Sequence, residues 1–183
     1  MKPKKISQAK KPEVKHPMNK DLIMGLSVSF GGGSDFTKKC KKGTTCDQYV
    51  THNAEVMFKM LFWKAVFVGI GGGYHSVKNK SETYNLSSTT LTGGLHILFS
   101  RHFDVMFFGK FGAIVGKQRG NSKTLGGIHW SAGAGLAIPY RPRKAIYRFI
   151  LGASYDNYRL IGFSENDTDM RSINIFAGVT MMY

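Results

Sequence analysis

Four charged residues stand where a strand-forming sequence has little use for charge. Glu55, Lys59, Lys110 and Arg148 each fall on the face opposite an apolar stripe, so a closed sheet would turn all four toward its interior. Charges in a narrow interior are costly unless paired. The expectation is therefore a hydrogen-bonded ion-pair network that plugs the lumen. The alternative is a small pore lined by the same residues, whose excess positive charge would favour anions.

Hydrolytic chemistry is the next candidate, because His75 is followed by Ser76 and further histidines stand at 96 and 102. A nucleophile and its base must share a face within hydrogen-bond reach, whereas successive strand residues point to opposite faces. No Ser, His and acid group is read in aligned register. No catalytic residue is assigned, and the chain is read as non-enzymatic. The clusters Gly31 to Gly33 and Gly71 to Gly73 lack the following helix that a phosphate-cradling loop requires. Alternating Gly69, Gly71 and Gly73 instead make room on an inward face for Trp63, Phe67 or Lys110. No cofactor is implied. Cys40 and Cys46 flank a short lysine-rich stretch. They suit a disulfide in an oxidising compartment, with free thiols as the alternative, and without nearby histidines they make a poor metal site.

The elements that must position these residues are strands of period two. Ile173, Ile175, Ala177, Val179, Met181 and Tyr183 share one face of the last stretch, and Ser172, Asn174, Phe176, Gly178, Thr180 and Met182 the other. Seven more stripes precede it: Leu22 to Phe30, Ala54 to Phe62, Val66 to Tyr74, Thr89 to Phe99, Val105 to Val115, Trp130 to Ile138 and Tyr147 to Tyr155. Between them lie polar stretches at Gly31 to Thr51, Ser76 to Tyr84, Lys117 to Gly127 and Asn157 to Met170, read as long loops, which alternate with three short turns. A final strand needs neighbours on both sides, so closure is expected. The inward side chains Trp63, Phe67, Met106, Phe108, Ile150 and Phe176 should fill an eight-stranded interior.

Composition agrees. The 183 residues include 22 glycines and 13% aromatic residues, and no run of about 18 apolar residues exists to make a membrane helix. Transmembrane barrels hide from hydropathy averages because their two faces alternate, and a mean hydropathy of -0.19 is compatible with that cancellation. The formal charge of +15 makes nucleic acid one candidate partner. The basic residues are spread over the N-terminal stretch and the loops, however, which suits anionic lipid head groups better, and no nucleic-acid partner is expected. Met1 to Lys20, rich in Lys and Pro, reads as a basic disordered tail without the apolar middle of a signal peptide, and Asp21 to Tyr183 as one barrel domain.

Gly178, Met181 and Tyr183 on a regular final strand resemble the C-terminal assembly signal of bacterial outer-membrane β-barrels. Phe176 stands where that signal usually has a polar residue. With the eight stripes and the loop alternation, the chain resembles the small barrels typified by outer membrane proteins A and X and the opacity-type proteins. The resemblance implies an all-β, eight-stranded antiparallel up-and-down transmembrane barrel in the bacterial outer membrane. Long loops would be extracellular and termini periplasmic, and the barrel-assembly machinery would recognise the last strand. Tyr74, Trp63, Phe62, Phe99, Phe103, Trp130, Tyr140, Tyr147, Tyr155 and Tyr183 would form interfacial girdles. Lys38, Lys39, Lys41, Lys42, Lys78, Lys80, Lys117, Arg119 and Lys123 would meet lipopolysaccharide phosphates. A soluble lipocalin-type barrel, with its apolar face inward around a ligand, is the competing architecture.

Overall fold

The computed structural model describes residues 22–35, 49–63, 65–78, 82–98, 102–120, 124–140, 146–161 and 168–182. They form eight strands: β1 (Leu22–Ser34), β2 (Val50–Phe62), β3 (Val66–Lys78), β4 (Thr83–Leu98), β5 (Asp104–Gln118), β6 (Thr124–Tyr140), β7 (Ile146–Ile161) and β8 (Thr168–Met182). Each pairs antiparallel with its sequence neighbours, and β8 pairs with β1 to close the barrel. The register fixes its dimensions. Following paired residues from Leu22 through Phe62, Val66, Leu95, Phe107, Ala134, Ala153 and Ile175 leads back to Gly32, ten residues further along β1. A stagger of that size over eight strands tilts them by about 40° and gives a backbone radius of about 8 Å.

The strands outrun their apolar stripes. The stretches read as long loops contribute their ends to the sheet: β3 continues to Lys78, β4 begins at Thr83, β7 runs to Ile161 and β8 starts at Thr168. The backbone ladder continues past the point where outward residues cease to be apolar, because the outer wall near the loop end carries Ser76, Lys78, Asn85 and Ser87. Inward positions keep their apolar character there, as at Leu86, Leu160 and Met170.

The polarity of the wall decides between membrane and soluble architectures. Leu91, Phe111 and Ile175 point outward at 60 to 66% exposure, while Ser, Thr, His, Asn and charged residues fill buried inward positions. A soluble lipocalin-type barrel needs the reverse arrangement, so that alternative is overturned. Tyr74 and Trp130 are exposed toward the loop end, with Trp130 packed 5.4 Å from Tyr155, and Trp63, Phe103 and Tyr140 are exposed toward the turn end.

One inward assignment fails. Trp63 is 74% exposed and has a φ of 46°. It sits in the β2–β3 turn, where Ala65 N–H donates to Phe62 O at 3.0 Å, and this left-handed backbone directs the ring outward, away from the lumen. The other bulky residues do point inward, and glycines receive them. A Cβ on Gly94 would lie 2.6 Å from the Phe67 ring, and one on Gly133 2.5 Å from the Phe108 ring.

The outward placement of Leu91 generates a test. Leu91→Arg should cost about 2–4 kcal/mol when unfolding is measured by urea titration in phospholipid vesicles; a change below about 0.5 kcal/mol would mean that this wall does not face hydrocarbon.

Candidate functional site: lumen and loop rim

Two apolar layers close the lumen. Toward the turn end, Ile23, Leu61, Phe67, Met106, Phe108, Ala137, Ile150 and Met182 pack together with Phe176 against them. The Phe108 and Phe176 rings meet edge to face at 5.5 Å. Toward the loop end, Tyr49, Val77, Tyr84, Leu86, Ile114, Tyr158, Leu160 and Met170 form a second layer. Polar side chains occupy the space between and beside these layers.

The four inward charges do not join into one network. Lys110 pairs with Glu55, and Lys110 Nζ also stands 5.3 Å from the centroid of the Phe108 ring. Arg148, at 2% exposure, lies 3.1 Å from Asp104 Oδ2 and donates to His96 Nδ1 at 3.2 Å. Lys59 stands over the Phe67 ring at 5.1 Å. Sequence reasoning left Asp104 and His96 out of this set because each lies close to a strand end, where the stripe is weakest. Period two extended by one residue places Asp104 inward and gives Arg148 its counter-charge.

A second polar group lies higher in the barrel. His129 Nε2 is 3.0 Å from Asp156 Oδ1, and Asp156 Oδ2 accepts from Ser154 Oγ at 2.7 Å and from Asn174 Nδ2 at 2.5 Å. Thr51 in turn donates to Asn174 Oδ1. Beside it, His75 Nε2 meets Ser88 Oγ at 2.8 Å, and His75 Nδ1 lies 3.2 Å from the Tyr158 hydroxyl. The His129 ring stacks on Tyr158 with centroids 4.6 Å apart.

This corrects the reading that no serine, histidine and acid share a register: His129, Asp156 and Ser154 do. The order of their contacts differs from that of a hydrolase. Serine and histidine both hang from the carboxylate, whereas a nucleophilic triad needs histidine between serine and acid. His75 does contact a serine, but its other nitrogen meets a phenol. His75 and His129 are fully buried, while Ser76 faces outward and His102 is exposed at the turn end. Together these contacts link β2, β3, β4, β6, β7 and β8 through the lumen.

At the loop rim, Lys78, Lys117 and Arg119 are exposed and share one sector of the outer wall. Lys78 pairs with Thr83, whose carbonyl accepts from Arg119 N–H at 2.7 Å, and Lys117 pairs with Asn85. Cys40, Cys46, Lys38, Lys39, Lys41, Lys42, Lys80, Lys123, Phe99 and Tyr183 lie outside the described residues, as do residues 1–21. Gly178 faces inward beside Ser29, and Met181 lies on the opposite face, paired with Leu26 and Tyr147.

An apolar wall around a polar, filled interior on eight antiparallel strands defines the fold of the small transmembrane β-barrels. One solved structure agrees in fold, and two others are more distantly similar. Neisserial surface protein A superposes with a TM-score of 0.56 at 12% identity, covering 86% of this chain and 95% of its own. The attachment invasion locus protein Ail of Yersinia pestis gives 0.45 at 13% identity over 90% of this chain and 100% of its own. The N-terminal barrel domain of Pseudomonas aeruginosa OprF gives 0.39 at 11% over 87% and 97%. No protein-family model and no curated protein sequence matches the chain. The likeness is therefore one of fold.

Arg148 offers a direct test of the lumen contacts. Arg148→Met takes the guanidinium from the buried Asp104 carboxylate and should cost about 3–5 kcal/mol of barrel stability, with a smaller loss in the Arg148→Met/Asp104→Leu double variant. Additive losses in urea unfolding would dissolve the coupling.

Proposed function

We propose that the chain is a non-enzymatic integral protein of the bacterial outer membrane, with long loops outside and termini in the periplasm, whose basic rim holds lipopolysaccharide phosphates. The observation that carries this reading is the outward cluster of Lys78, Lys117 and Arg119 above the apolar wall. A phosphate there meets cations from the side while acyl chains lie against the strands below. Each such cation contributes up to about 1 kcal/mol toward an anionic surface, and salt reduces it. Lys38, Lys39, Lys41, Lys42, Lys80 and Lys123 belong to the same side in chain order and extend the proposal. Gly178, Met181 and Tyr183 are proposed to present the last strand to the barrel-assembly machinery. The fold shared with a Neisserial surface protein supports placement at the cell surface.

Exchange of Lys78, Lys117 and Arg119 together for glutamine should weaken lipopolysaccharide binding at least tenfold at low ionic strength, measured by microscale thermophoresis in detergent. Unchanged affinity would remove the rim from the interaction.

A small anion-favouring pore is the second reading, favoured by the positive charge of Lys59, Lys110 and Arg148 in the lumen. Two apolar layers oppose it. Planar-bilayer recording should show no steady conductance, whereas steady anion-selective current that changes on Lys110→Glu would establish the pore.

A further inference from the structure

Lys59 occupies an unusual electrostatic position. It lies in β2 at 6% exposure, and among the described residues it forms no ion pair. Glu55 is engaged by Lys110, and Asp104 by Arg148. Asp156 is held by His129, Ser154 and Asn174. The Phe67 ring beneath Lys59, 5.1 Å from Nζ, accepts a cation on its face but supplies no negative charge. Among the described residues around this part of the lumen the cations are Lys59, Lys110 and Arg148, and the engaged carboxylates are Glu55 and Asp104, which leaves one positive charge in excess among them.

Beside Lys59 is a small cavity of about 30 Å³ in the lumen, bordered on one side by Ser27, Ser29, Lys59, Thr92 and Lys110 and on the other by the apolar residues Met57, Phe67, Met106, Phe108, Ile150 and Phe176. Its lining contains no carboxylate. It does contain hydrogen-bond donors. Thr92 is 5% exposed, and its Oγ1 has no hydrogen-bond partner among the described residues. Ser27 Oγ accepts from Thr180 Oγ1 at 3.0 Å, which leaves the Ser27 hydroxyl hydrogen free to turn toward the cavity. The unpaired Lys59 ammonium, the Glu55-paired ammonium of Lys110 and hydroxyl donors thus border one side of a space that is larger than the roughly 10–15 Å³ one water needs and too small for sulfate or phosphate with a hydration shell.

We infer that this cavity is a buried binding site for one small monovalent anion of the halide class, held by Lys59 and the hydroxyls of Thr92 and Ser27. The anion supplies the counter-charge that Lys59 otherwise lacks and accepts the hydrogen bond that Thr92 has to give. It couples β1, β2 and β4 at mid-barrel through one ion. The site is separate from the rim, and its occupancy does not depend on any lipid contact.

The test uses the full chain folded in detergent micelles, unfolded by urea in sodium chloride, sodium bromide or sodium gluconate at equal ionic strength. Chloride and bromide should stabilise the barrel saturably, lowering the unfolding equilibrium constant about tenfold at ten times the dissociation constant, while gluconate, too large to enter, should not. Lys59→Met should abolish the halide dependence. Thr92→Val, which keeps the side-chain shape and removes only the hydroxyl, should weaken halide affinity at least fivefold and serves as the test if Lys59→Met fails to fold. In crystals grown with bromide, an anomalous peak should stand at Lys59 Nζ. Equal midpoints in the three salts, a halide effect that survives undiminished in the variants, or an anomalous map without that peak would each overturn the site.

Discussion

Hydrocarbon offers no hydrogen-bond partner to a peptide group, so every strand in such a medium needs a neighbour on both sides. Pairing of β1 with β8, from Gly25 opposite Met182 to Ser34 opposite Ile173, is the contact that removes the last two edges. Everything else follows from that closure. A fixed strand number and a ten-residue stagger set the radius, and the radius sets how much side chain the lumen must hold. Glycines at 94 and 133 are then required by volume, because the Phe67 and Phe108 rings already occupy the places their side chains would take.

Closure also explains the distribution of charge. In a tube this narrow, a charged side chain on the inward face cannot reach bulk water, so it needs a partner from another strand. Arg148 of β7 finds Asp104 of β5, and Lys110 of β5 finds Glu55 of β2. Such pairs need not add net stability over apolar residues of the same shape. What they add is specificity: a one-residue slip of β2, β5 or β7 would turn its charges toward lipid and strand its partner's inside. Register and lumen chemistry therefore enforce each other.

The architecture was legible in the sequence because period two is a local signal. Lipid-facing stripes such as Val66, Val68 and Ile70 identify a strand without knowledge of its neighbours. Three kinds of feature were not legible. Strand ends escaped because outward residues above the apolar band are polar, so Ser76 to Tyr84 reads as loop although β3 and β4 supply both its ends. Partner choice escaped because it depends on strand register. His129 and Asp156 are 27 residues apart in sequence, and the β6–β7 register, which sets Ser131 opposite Asp156, makes His129 its diagonal neighbour. Trp63 failed for a third reason: a single left-handed residue reverses where its side chain points, and strand periodicity carries no information about that.

A filled lumen constrains where function can reside. Substrate or ion traffic through the barrel would have to displace both the Phe67, Phe108 and Phe176 group and the Tyr84, Leu86 and Tyr158 group, and each is tied to several strands. Most of the polar side chains between them are hydrogen-bonded to one another, Thr92 and Lys59 being exceptions, so opening a path would strand buried donors and acceptors at a cost of about 1–3 kcal/mol each. The parts of the wall free to meet a partner without that cost are the outward faces and the rim, where Lys78, Lys117 and Arg119 stand exposed.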